Sequence, residues 1–69
     1  MNYRIYGNHK LKGWILIEMV YHEELAYDCV RQIDQEQYYT ILIVKHDIEL
    51  NMDACIYDSN LDRGFSRRR

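Results

Sequence analysis

The side chains able to do chemistry here are three His, two Cys and eleven carboxylates in 69 residues, and their spacing limits what they can do. Asp47, Glu49, Asn51, Asp53, Cys55 and Asp58 stand at positions 1, 3, 5, 7, 9 and 12 of a calcium-loop frame, where alternate oxygens converge on one cation. The frame breaks where it is most demanding. Met52 replaces the Gly that makes the sharp turn, and Asp58 is shorter than the bidentate Glu used at the last position. The segment therefore reads as a solvated acidic loop. His9, His22, His46, Cys29 and Cys55 include no ligand pair at the short spacing of a zinc site. No metal and no cofactor is implied.

Nucleophilic catalysis needs a base beside the nucleophile and a group to orient that base. His46 and Asp47 are adjacent, but neighbours on a strand point to opposite faces. There is no Gly-rich phosphate loop, and a chain this short has little room for a catalytic pocket beside a core. No catalytic residue is assigned, and the chain is read as a non-enzyme.

The elements that must position these residues are legible from hydrophobic period. Trp14–Tyr21 and Tyr38–His46 are continuous apolar runs of strand length, each wanting cover on both faces. Between them Leu25, Ala26, Cys29, Val30 and Ile33 form one stripe of an amphipathic helix, with Glu23 and Glu24 in its favourable first turn. His22 is a poor N-cap, and Asp34 and Glu36 oppose the dipole at the far end, so the last turn should fray over residues 34–37. Residues 2–6 suit a short first strand ending in a turn at Gly7 and Asn8, or in a loop from Gly7 to Gly13. Residues 47–53 read as loop, and Ala54–Tyr57 as a short edge strand.

The expected fold is a small two-layer α+β domain, β-β-α-β with an optional fourth strand. Its sheet is three- to four-stranded and mainly antiparallel, with one helix packed on one face. The first strand is preferred between the second and third, since only antiparallel pairs are then needed. Residues 1–58 form the domain, and residues 59–69 a disordered basic tail.

Composition narrows function. The net charge of −2 hides a split: residues 1–60 carry five cations against ten carboxylates, while residues 61–69 carry Asp62 against Arg63, Arg67, Arg68 and Arg69. No stretch is long enough for a membrane span, and no secretory signal is visible, so the cysteines read as reduced thiols of a cytoplasmic protein. Single-stranded nucleic acid is the alternative partner, bound by stacking on Tyr3, Tyr6, Trp14, Tyr38 and Tyr39 with the arginine tail on phosphates. The acidic body opposes it.

The sheet itself points to the leading reading. With Ile15, Ile17, Met19, Ile41 and Ile43 on the helix, the other face presents Trp14, Leu16, Val20, Tyr38, Leu42 and Val44, interrupted by Glu18 and Thr40. Leaving such a patch wet forgoes several kcal/mol at about 25 cal/mol per Å², and a patch of this kind marks a contact site. The competing arrangement folds residues 47–65 back over it through Leu50, Met52, Ile56 and Phe65. In size and composition alone the chain resembles small phage-encoded or accessory proteins that bind and inhibit a host factor. The expectation is thus a homodimer through this face, also binding a protein partner of basic character.

Overall fold

The computed structural model describes residues 2–61. Strands β1 (Asn2–His9), β2 (Gly13–Val20), β3 (Tyr38–Asp47) and β4 (Met52–Asp58) form one sheet in the order β2-β1-β3-β4, with every neighbouring pair antiparallel. Helix α1 (Glu23–Gln32) joins β2 to β3 across the intervening β1, and a 3-10 turn at Gln35–Gln37 leads into β3. This is the expected α+β domain with its fourth strand present and its first strand in the centre.

The core lies between α1 and the central strands. Ile5, Ile41 and Ile43 are fully buried, and Tyr3, Ala26 and Val30 close around them. Ile5 and Ile43 face each other across β1 and β3, so the two central strands meet in one apolar row under the helix. The helix stripe is rotated slightly from its sequence reading. Ala26, Val30, Cys29 and Ile33 turn inward as expected, but Tyr27 joins the core while Leu25 stays exposed. Tyr27 reaches past β3, donating its hydroxyl to the Ile56 carbonyl at 3.3 Å and meeting the Tyr57 ring edge-on. His22 makes no side-chain cap, consistent with its residue type. The helix ends at Gln32, and Asp34 caps the following 3-10 turn by accepting from the Glu36 backbone N–H.

Gly7 does not make a turn. It lies inside β1, where a Cβ would come within 2.7 Å of the Ile17 Cδ1 and of the Tyr38 ring. The glycine is there for close approach, a use that a strand-interior glycine often serves. The chain reverses instead over Lys10, Leu11 and Lys12. There His9 Nδ1 accepts the Leu11 and Lys12 N–H groups at 3.1 and 3.2 Å, and Gly13 takes φ +79°.

Two bulges correct the expected faces. The β1–β2 register slips between Ile5 and Tyr6, leaving Ile17 as the extra residue; the β1–β3 register slips between Asn8 and His9, leaving Tyr39 extra. Each slip reverses the alternation on one side of it. Val20 therefore sits opposite Tyr3 and packs on the core, while Met19 turns outward. Tyr38 packs over Gly7 on the helix side, while Tyr39 is exposed.

Residues 47–61 extend the sheet rather than folding across it. β4 pairs along β3 from Asp47–Met52 to Leu42–Asp58 with a tight turn between, so the expected loop is mostly strand. Leu50, Met52 and Leu61 are exposed, and Ile56 packs on the helix side. Phe65 lies outside the described residues. The described fold continues past residue 58: residues 59–61 form a helical turn, and buried Ser59 accepts the Ile41 N–H through its hydroxyl at 3.0 Å.

Gly7→Ala tests this packing. Overpacking of this kind costs about 1–3 kcal/mol, so urea denaturation should show a lower midpoint. Removing the ring first, in Tyr38→Ala, should make the same substitution cheaper. Equal costs in both backgrounds would mean that Tyr38 does not lie over Gly7.

Candidate interaction surface

The sheet face opposite α1 is made by the neighbours of the core residues. Three cross-strand rows run over it: Trp14, Asn8 and Thr40; Leu16, Tyr6, Leu42 and Asp58; Met19, Arg4, Val44 and Cys55. Trp14, Leu16 and Met19 are 56%, 53% and 43% exposed, and Tyr6, Leu42 and Val44 are half-buried. No element among the described residues lies across them. β2 supplies one apolar margin, β3 the other, and β4 adds a more polar border.

Of the six residues predicted for this face, Trp14, Leu16, Leu42 and Val44 are brought together on it. Val20 and Tyr38 are on the helix side, removed by the two bulges. Met19 and Tyr6 join the face instead. Met19 could not have been found by alternation alone, because the extra residue in β2 leaves no local signal. Tyr6 lay within the expected first strand, but its face depends on a register that the sequence leaves open.

The electrostatics also differ from the expected pattern. Glu18 pairs with Ile5 on the helix side. There, burial first and the Glu18 carboxylate second push the Cys29 thiol upward. The charge within the open face is Arg4, flanked by Met19 and Val44. At the β4 end, His46 Nδ1 and Asp53 Oδ1 pair at 2.5 Å across the strands. Thr40 is capped at its hydroxyl by the Asn60 side-chain amide at 3.0 Å.

The other chemistries find less support in this geometry. The calcium-loop frame is split between the ends of two strands and their turn, and among the described residues no three His, Cys, Asp or Glu side chains are grouped to hold a metal ion. His46 has a carboxylate partner, but Cys55 directs its thiol to the Tyr57 carbonyl at 3.2 Å. Both cysteines are free. The aromatic side chains proposed for base stacking are divided: Tyr3 and Tyr38 lie under the helix, Tyr6 and Trp14 on the open face, and Tyr39 beneath Lys10 Nζ, 5.8 Å from its ring centre. Arg63, Arg67, Arg68 and Arg69 lie outside the described residues. Among the described residues no helix is long and apolar enough to cross a membrane.

The raised Cys29 thiol has a direct consequence, since the thiolate is the form that alkylates. Iodoacetamide at pH 8, a chosen working value, should label exposed Cys55 well before Cys29, read by mass of the two peptides. Equal or faster labelling of Cys29 would contradict its placement on the inward side of the helix. No family model, no curated protein and no solved structure matches the chain.

Proposed function

We propose that the protein is a non-enzymatic interaction module that pairs with a second copy through the open face of its sheet. The observation that carries this reading is the uncovered cluster of Trp14, Leu16, Met19, Leu42 and Val44 on a sheet already closed by a helix on its other side. Four strands at about 4.8 Å spacing and eight residues at about 3.3 Å each give a flat footprint of roughly 500 Å². Side-chain relief brings this toward the roughly 600 Å² per partner at the small end of specific interfaces. Trp14 and Tyr6 are of the residue types enriched at such contacts.

In this arrangement the helix layers face outward. They carry Glu23, Glu24 and Asp28 against Arg31, which is itself paired with Asp28. With ten carboxylates against five cations in residues 1–60, the exterior suits a basic protein partner, drawn in by long-range attraction. Occlusion of such a partner's own anion-binding surface is the mode of inhibition that this charge distribution favours.

Sedimentation at micromolar concentration tests the pairing. The intact protein should sediment at twice the chain mass. Trp14→Glu should weaken association at least tenfold, because a desolvated carboxylate costs at least the ~1.4 kcal/mol that a factor of ten represents. Leu25→Glu, the same change on the exposed flank of the helix, should leave the mass doubled. A folded monomer for the intact protein, or an undiminished dimer for Trp14→Glu, would remove this reading.

A further inference from the structure

Arg4 is the one arginine or lysine in the cross-strand rows of the open face. It is half-buried between Met19 of β2 and Val44 of β3, with Tyr6 next on its own side of β1. Among the described residues it has no hydrogen bond and no ion pair. While the face is open, the guanidinium keeps its water. Once the face is closed, a charge left on aliphatic side chains loses that hydration without return. Whatever covers the face has to offer Arg4 an acceptor or an aromatic ring.

A second copy brings the same rows of side chains. In aligned packing, where the strands of two facing sheets stay within about 30° of each other, a two-fold axis between the sheets has two settings. An axis along the strands puts β2 of one copy over β4 of the other, and β1 over β3. Leu16 then falls on Asp58 and Arg4 on Val44, so both charges meet aliphatic groups. An axis across the strands puts each strand over its own counterpart and exchanges the rows. Set between the rows of Tyr6 and Arg4, it lays Leu16 on Met19 and Leu42 on Val44. Arg4 of each copy then falls on the Tyr6 ring of the other, and Asp58 stays at the β4 border.

We propose that the two copies pair about an axis across the strands, with the Arg4 guanidinium of each seated on the Tyr6 ring of the other. This rests on pairing through the open face and adds its register. Arginine is the side-chain cation most often found over aromatic rings, and the attraction is largest where water is excluded. The contact occurs twice, near the centre of the face, where residues of these two types contribute most to association. The same setting lays β2 on β2, so the exposed apolar margins of the two copies cover each other. Arg4 thereby fixes orientation: without the ring of the second copy its place in the closed face is incomplete.

Cross-linking and sedimentation of the full chain test the register. In a Cys29→Ser and Cys55→Ser background, Leu16→Cys chains mixed with Met19→Cys chains should oxidise to a heterodimer, read by mass. Leu16→Cys chains mixed with Asp58→Cys chains should not. Tyr6→Leu should weaken association about tenfold, and Tyr6→Phe, which keeps the ring, should leave it unchanged. In an Arg4→Met background the cost of Tyr6→Leu should largely disappear. Preferential cross-linking of Leu16→Cys to Asp58→Cys would overturn this register and leave the pairing standing. So would an equal cost of Tyr6→Leu with and without Arg4. An intact protein that sediments as a monomer would overturn both.

Discussion

One helix of ten residues has to cover a four-stranded sheet, and it cannot. Such a helix is about 15 Å long and about 10 Å across with its side chains. Four strands at about 4.8 Å spacing are roughly 19 Å wide. The helix settles where burial is richest, over β1 with its neighbours β2 and β3, where Ile5, Ile41 and Ile43 lose all contact with water. The rest of the surface is set by that choice. The far face of the sheet has no cover among the described residues, and beside β4, which α1 meets through Tyr27, the helix layer leaves a cleft. In so short a chain, only about 60% of the unfolded surface is buried on folding, and both exposed regions are where further burial is available.

The two bulges in the pairing of β1 decide which side chains bear this constraint. Without the extra Ile17, Glu18 would interrupt the open face and Val20 would be wet. With it, Glu18 moves beside Cys29, Val20 packs on the core, and Met19 adds to the exposed patch. The extra Tyr39 does the same for β3, letting Tyr38 cover Gly7 with His9 against its ring edge. Bulges re-aim side chains in this way and also strengthen strand twist. Here they concentrate apolar area at the β2 margin of the open face and exchange a negative charge within it for Arg4.

The fold class was legible because period and length agree over long segments. The two apolar runs are strands, the stripe from Ala26 to Ile33 is a helix, and strand order came from preferring antiparallel neighbours. The face assignments were partly legible. Leu16, Leu42 and Val44 obey plain alternation, whereas Val20 and Tyr38 lie beyond bulges that no local residue announces. Gly7 misled because a glycine that admits a tight turn also admits close packing, and only the position of Tyr38 distinguishes the two. β4 was underestimated because Asp53 and Asp58 depress strand propensity, while its pairing to β3 and the burial of Ser59 come from partners distant in sequence.

Whether the open face meets a second copy is most directly read from Trp14, the one Trp in the chain and a member of that face. Its fluorescence can be monitored while the protein is diluted from high micromolar to nanomolar concentration. Pairing through this face predicts a buried, blue-shifted emission at high concentration that moves to the red as the complex dissociates. A fully solvated emission maximum, constant across the whole range, would contradict it.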